Sequence, residues 1–413
     1  MELRCFNYIQ ITQQPTAALP DRGKTITLDY LHSYEINTGW ENLTNTAKVV
    51  IPKNVIAQDL QGNDVPLQGT NIAIGNGNNP LFLRGDKISL QAGYWYLDGF
   101  GIEQQYVKLL FTGYITKVFA KLQITLECEN NAFLLKQVPA PSKVWGNNIS
   151  LQGMITQCLG ATNAAQNAGI TVKTQSNTSI SFENGTFYTK LETVAQVLER
   201  IKRDLHIDSY MKGTELRIGY PVYWPGDVQD INRPFIFHKN KNIISDNLQY
   251  MRKDDIVMSA TAQSFYKEKQ AATTKDGHTK TKSKMLRVFI WSDPKTQTIK
   301  SKIITDPSEV PVNEQGQRFS FFFPFASSTN ELIKLATSKL EQSYYTGFRG
   351  SFTTFGMPYI PFGDNVKIID PALPDKEGIY KIKAVKYTGG IGLGIRQELF
   401  IDYRTDTASA NTI

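Results

Sequence analysis

A Gly-Asp turn that opens an alternating strand occurs twice in this chain of 413 residues, and each time the same series follows it. The first copy is Gly85-Asp86-Lys-Ile-Ser-Leu90, followed by Leu110-Phe-Thr-Gly-Tyr-Ile-Thr-Lys-Val118 and then Leu122-Gln-Ile-Thr-Leu-Glu-Cys128. The second is Gly363-Asp364-Asn-Val-Lys-Ile368, followed by Ile379–Tyr387 and then Gln397–Tyr403. Gly-Asp is a common turn dipeptide by itself. An ordered series of turn, strand, loop, strand and strand at similar spacing is the mark of an internal repeat. The second copy sits in a block, residues 347–404, that holds a tight corner at Gly356, Pro358, Pro361 and Gly363. In Tyr380-Lys-Ile382-Lys-Ala384-Val385-Lys-Tyr387, apolar residues face mostly one side and lysines the other, which is the period of a half-buried strand. The block reads as a small antiparallel barrel or meander with no helix.

The rest of the chain is organised around these two copies. Abundant Tyr, Phe, Thr, Ile and Val favour strands, so the fold class is mainly β, with some α. Residues 1–146 read as a first β domain. Residues 147–222 change period and read as a small α/β insert. A short helix follows Ile149 and ends at Gly160. A second starts at a capping box, Thr189-Lys-Leu-Glu192, and carries a stripe of Leu191, Val194, Ala195, Leu198, Ile201 and Leu205. Residues 223–327 read as a linker, further strands and a Lys-rich hairpin. Residues 328–413 read as a helix, capped by Ser328-Thr-Asn-Glu331, plus the second β domain. The aromatic run Phe319, Phe321, Phe322, Phe323 and Phe325 is a candidate for packing at a domain or subunit boundary, with plain core as the competing reading.

Net charge is +7, from scattered lysines that read as a solvated surface, with one concentration. Lys267, Lys269, Lys275, Lys280, Lys282 and Lys284 flank Asp276-Gly277, a hairpin-turn signal, so this hairpin is a candidate contact for DNA or for an acidic partner. No run of about 18 apolar residues exists to span a membrane, and the first residues do not follow the signal-peptide pattern. Cys5, Cys128 and Cys158 are odd in number and widely spaced, which fits neither a disulfide framework nor a zinc site. His32, His206, His238 and His278 lack a partner at ligand spacing. Gly390-Ile-Gly392-Leu-Gly394 reads as a turn, not a dinucleotide loop. No nucleophile elbow, phosphate loop or carboxylate pair emerges. No catalytic, cofactor or metal site is expected, and the chain does not read as an enzyme.

The order of motifs resembles a known family. It runs from the Gly85-Asp86 strand through Gly93-Tyr94, Leu110–Ile115 and Glu127-Cys128-Glu129. It continues through Leu205–Tyr210, Leu216–Gly219, Asn242–Asp246 and Leu248–Tyr250 to the 347–404 block. This series is similar to the tail or baseplate hub proteins of bacteriophages, the late control protein D family, related to the hub part of type VI secretion spikes. Gly350–Gly356 and Ile395–Gln397 look closest to hubs of phages or prophages of Bacteroidetes-type hosts. The resemblance implies two similar β-barrel hub domains per subunit and a homotrimer forming a pseudo-sixfold ring. Such a ring is a symmetry adaptor between a sixfold tail tube and a threefold spike. It implies as partners the tail tube or distal tail protein, a spike, fibre or tip protein, and the tape-measure protein. It also implies passage of DNA through the lumen, and a place in the virion tail after assembly in the host bacterial cytoplasm. Ending soon after the second block, at Ile413, the chain is expected to carry no fused spike or lysozyme. The competing readings are the hub of a contractile injection or type VI system, a glycan-binding or hydrolytic tail-tip protein, and a DNA-binding protein.

Overall fold

Alternation becomes architecture in a sheet that takes strands from both ends of the chain. The structure, a computed structural model, describes residues 3–52, 55–67, 80–120, 123–145, 149–160, 169–174, 187–205, 207–219, 234–253, 257–273, 279–293, 295–310, 316–323, 328–372 and 377–406. The first part of the chain gives β1 (Leu3–Thr12), β2 (Thr25–Leu28), β3 (Ser33–Gly39), β4 (Thr46–Ile51), β5 (Ile56–Asp59), β6 (Asp64–Pro66), β7 (Lys87–Leu97), β8 (Glu103–Ala120) and β9 (Ile124–Glu129). The middle gives α1 (Ala132–Leu135), β10 (Lys143–Trp145), α2 (Leu151–Leu159), β11 (Thr171–Thr174), β12 (Phe187–Thr189), α3 (Val194–Leu205), β13 (Ser209–Lys212) and β14 (Glu215–Ile218). Next come β15 (Phe235–His238), β16 (Ile243–Met251), β17 (Met258–Thr273), β18 (Thr279–Asp293), β19 (Thr298–Ile303), β20 (Gln317–Phe322) and α4 (Thr329–Ser343). The chain closes with β21 (Gly347–Phe355), β22 (Asn365–Ile369), β23 (Gly378–Gly390) and β24 (Arg396–Arg404).

Fifteen of these strands form one sheet, in the order β16-β21-β24-β23-β3-β4-β9-β8-β7-β1-β2-β5-β6, with β22 on β23 and β15 on β22. Every pairing in it is antiparallel except β15 with β22. The molecule is mainly β, as the composition implied. The two similar β-barrel hub domains expected from the resemblance are not seen as closed barrels among the described residues. Instead β3 pairs with β23, from Ser33 opposite Gly390 to Gly39 opposite Ala384, and joins the two halves edge to edge. One apolar core underlies both, from Ile9, Ile11 and Ile36 to Val366, Ile382, Tyr387 and Leu399. Burying so much apolar surface in common makes the join a packed one.

Two smaller units flank the sheet. In the first, α2 and α3 pack with the three-stranded sheet β11-β14-β13 around Met154, Ile155, Leu198, Ile201 and Leu216. Ser150 caps α2 by accepting from the Gly153 amide at 3.0 Å. The expected start of α3 is corrected. Its capping box is Thr193–Gln196, where the Gln196 amide donates to Thr193 Oγ1 (3.3 Å) and the Thr193 amide to Gln196 Oε1 (2.8 Å). Thr189 is engaged elsewhere, accepting from Trp145 Nε1 at 2.9 Å. Leu191, expected in the apolar stripe, is 89% exposed with φ 51°. In the second unit, β19-β18-β17-β20 form a four-stranded sheet covered by α4. Ser328 caps α4 as expected, and Leu332, Ala336 and Leu340 lie fully buried beneath it. Among the described residues, no helix is long and apolar enough to cross a membrane.

Candidate functional site

The two Gly-Asp turns share one hydrogen-bond pattern. In the first, the Gly85 amide donates to Ile115 O (2.8 Å) and the Ile115 amide to Asp86 O (2.9 Å). In the second, the Gly363 amide donates to Ile382 O (2.7 Å) and the Ile382 amide to Asp364 O (2.9 Å). Gly85 has φ 95° and Gly363 φ 90°, and a Cβ at either would meet nothing within 4 Å, so glycine is needed there for its backbone angle and not for space. The residue after each turn has the matching partner: Lys87 faces Tyr114 and Asn365 faces Lys381.

The correspondence continues outward. β8 is bulged against β9 between Ile115 and Lys117, and β23 is bulged against β24 between Ile382 and Ala384. A bulge shifts the two-residue period by one. Inward positions therefore pass from Ile115 to Val118 and from Ile382 to Val385, which accounts for the broken alternation at Ala384-Val385. The sheet orders match as well. β3-β4-β9-β8-β7 and β16-β21-β24-β23-β22 are the same five-stranded unit, with strands in the same chain order and all neighbours antiparallel. The α4 unit, residues 252–346, is an insertion between the first two strands of the second copy, where the first copy has only residues 40–45.

The copies differ in what surrounds their turns. Asp86 is buried, and its carboxylate accepts from the Gln14 amide (2.9 Å), the Leu83 amide (2.7 Å) and Arg22 Nη2 (2.5 Å). Arg22, also buried, donates its other terminal nitrogen to Pro80 O. Asp364 is half-buried. The second copy is instead rich in tyrosines whose hydroxyls bond backbone, among them Tyr387 to Ile360 O at 2.6 Å and Tyr345 to Phe348 O at 2.9 Å. Burial raises all of these phenols, Tyr380 to about 12, so they act as neutral structural groups. Beyond the β3–β23 ladder, side chains also tie the copies together: Tyr94 Oη donates to Ile395 O (3.0 Å), the Tyr359 amide donates to Tyr106 Oη (2.8 Å), and Lys386 pairs with Glu35 (3.0 Å).

The other sequence candidates lie apart from the turns. Phe319, Phe321 and Phe322 are half-buried on β20 and Phe323 is buried next to it. Phe319 and Phe321 are stacked at 5.9 Å, in the core of the α4 unit, and Phe325 lies outside the described residues. Lys267 and Lys269 are on β17 and Lys280, Lys282 and Lys284 on β18; the ladder sets Lys269 opposite Thr281 and Lys267 opposite Ser283. Lys275 lies outside the described residues. An open cleft of about 450 Å³ near the base of this unit is lined by Arg287, Arg318, Thr261 and Phe319. Burial raises the Cys158 thiol to about 11 and the Cys128 thiol as well, which suits inert core positions. Among the described residues, no group of three His, Cys, Asp or Glu side chains is placed to hold a metal ion. His32 is exposed and His238 half-buried, while His206 and His278 lie outside the described residues. The sequence did not reveal Arg22 as the partner of Asp86, nor β16 as a sheet edge; the first has no local signal, and the second had one only in Leu248-Gln-Tyr250.

No family model matches the sequence, and no curated protein matches it. Solved structures do. A tail protein from Neisseria meningitidis MC58 superposes with a TM-score of 0.53 at 12% identity, covering 97% of this chain and 97% of that one. This chain has the fold of phage tail proteins. The 43 kDa tail protein of prophage MuSo2 from Shewanella oneidensis agrees, with a TM-score of 0.52, 11% identity and coverage of 96% and 98%. The likeness runs nearly end to end in both cases, so it includes the insert units as well as the paired repeats.

Proposed function

We propose that the protein is the hub of a phage tail, a structural component of the virion and not an enzyme. One observation carries this reading: a five-stranded unit present twice, joined edge to edge, in a chain with the fold of tail proteins. A homotrimer of such chains holds six similar domains in a ring. That ring presents sixfold repetition to a tail tube or distal tail protein, and threefold repetition to a spike, fibre or tip protein. Its lumen is the passage for the tape-measure protein and DNA. The inserts at 147–222 and 252–346 occur once per chain and so mark the threefold character. The Lys-rich hairpin at the end of the α4 unit is read as a contact for an acidic neighbouring tail protein, and the half-buried Phe319, Phe321 and Phe322 as a surface that closes against a neighbouring domain.

Light scattering of the purified chain tests the reading, combined with electron-microscopic class averages. The expected result is a particle of three times the 46.5 kDa chain mass with six similar lobes around a hole. A closed ring of two or four chains, or a monomer that cleaves cell-wall glycan, overturns it.

A further inference from the structure

The internal join between the repeats has a vacant counterpart. Within the chain, the first strand of copy one, β3, lies along the far half of β23 in copy two. The equivalent elements are the first strand of copy two, β16, and the far half of β8 in copy one. Among the described residues, β16 pairs only with β21, and β8 beyond Tyr114 pairs only with β9. We infer that β16 of one molecule pairs with residues 117–120 of β8 in a second copy of this chain, reproducing between molecules the β3–β23 join.

The register follows from the internal correspondence. Lys117 pairs with Glu127 after the bulge as Ala384 pairs with Phe400, so Lys117 and Val118 stand where Ala384 and Val385 stand. On the other side, Ile36 lies opposite Ala47 on β4, and Leu248 lies opposite Gly350 on β21. Counting along both ladders makes Ile36 equivalent to Leu248, Thr38 to Tyr250 and Gly39 to Met251. The internal pairs Ala384–Gly39, Val385–Thr38, Lys386–Asn37 and Tyr387–Ile36 thus become Lys117–Met251, Val118–Tyr250, Phe119–Gln249 and Ala120–Leu248, antiparallel as in the template.

Burial supports the same conclusion. At the internal join, Ile36 is 0% and Val385 1% exposed. Leu248 and Val118, their equivalents, are only partly buried at the margin of the core. Phe119 is 38% exposed beside them. Strand β16 reads Ile-Ile-Ser-Asp-Asn-Leu-Gln-Tyr-Met, with no Lys or Pro to discourage pairing at its open edge. The contact is heterologous, one edge meeting a different edge, so it propagates from copy to copy until the rotation closes. The number of copies at closure rests on the trimer proposed above; the identity of the two edges does not.

The test is cross-linking in the full-length chain with Cys5→Ser, which removes the exposed native thiol. Phe119→Cys and Gln249→Cys are combined; facing residues of antiparallel strands have Cα atoms about 4.5–5.5 Å apart, within disulfide reach. The expected result under mild oxidation is a reducible ladder on denaturing gels, multimers that vanish with reductant, ending at three chains. Neither single-cysteine variant forms it. The off-register pair Phe119→Cys with Ser245→Cys, about 13 Å out of step, gives at most a tenth of the yield. Phe119→Asp, at a surface position, abolishes association and leaves the melting transition of the single chain in place. A trimer without the 119–249 cross-link overturns this pairing and leaves the hub proposal standing. A register-specific cross-link that closes at another number of chains upholds the pairing and overturns the trimer. A monomer with no cross-link at any concentration overturns both.

Discussion

The two Gly-Asp turns close the same backbone ring of hydrogen bonds, yet the first builds its aspartate into a buried ion pair with Arg22, whereas the aspartate of the second is half-buried. In copy one, the Asp86 carboxylate ties together β1's exit at Gln14, the segment at Leu83 and the turn at Arg22. In copy two, the segment before the turn is held by Tyr387 Oη, which donates to Ile360 O at 2.6 Å, and by the fully buried Gln397 side chain, which accepts from the Ile360 amide at 3.1 Å and donates to Phe355 O at 2.9 Å. The difference teaches that the repeat is specified by backbone geometry, while each copy satisfies its buried polar groups with its own side chains.

The largest expected effect separates the two aspartates. Asp86→Ala leaves Arg22 charged and buried without its carboxylate, so stability falls by about 3–5 kcal/mol in denaturant titrations. Asp364→Ala costs less than half of that, and equal losses would show that the carboxylates do the same job in both copies. Second in size is the contrast between the equivalent strand positions Ile36 and Leu248. Ile36→Ala costs about 2–5 kcal/mol in any oligomeric state, because its site is filled within the chain. Leu248→Ala costs distinctly less in the isolated chain and approaches the same loss only in the assembled particle.

The glycines should behave alike. Gly85→Ala and Gly363→Ala each cost about 1–2 kcal/mol, because an L-residue at that backbone angle is strained although no atom blocks its Cβ. Thermal melts that differ widely between the two would mean that the turns are not equivalent. The smallest effect is electrostatic. Asp402 follows Ile401 as Glu129 follows Cys128, but burial raises the Asp402 carboxyl, whereas Glu129 pairs with Lys136 at 2.8 Å. With its folded pKa above the unfolded value of about 3.9, Asp402 holds a proton more readily in the folded chain. Its contribution therefore turns unfavourable as pH rises through that folded pKa, and stays so above it. Asp402→Asn should flatten this part of a stability–pH profile and stabilise slightly at neutral pH. A profile unchanged by the substitution would rule the effect out.

How much of this could be read from the residues depended on sequence distance. The Gly-Asp turns, the alternation in 379–387 and the Ser328 cap are local signals, each carried by a few adjacent residues: hydrogen bonds close at both turns, β23 spans Gly378–Gly390 and Ser328 caps α4. The α3 start is ambiguous in the sequence because two adjacent patterns, Thr189–Glu192 and Thr193–Gln196, both satisfy the capping rule. The long-range bond from Trp145 to Thr189 decides between them. The candidate interface was hidden for the same reason. An insertion separates β16 from β21, so its place in the second copy emerges only when ladders, and not spacings, are compared.

The β3–β23 join also sets a timetable. Gly39 pairs with Ala384, so the strand that links the two halves is made early and its partner is made near the end. At a synthesis rate of about 5–20 residues per second, β3 emerges on the order of 20–70 seconds before β23 does. Through that interval the first half can zip up locally, but it carries an unsatisfied edge of the kind that recruits strands from other molecules. The nascent chain is thus open to mispairing at the same edge that joins the two halves of the finished one.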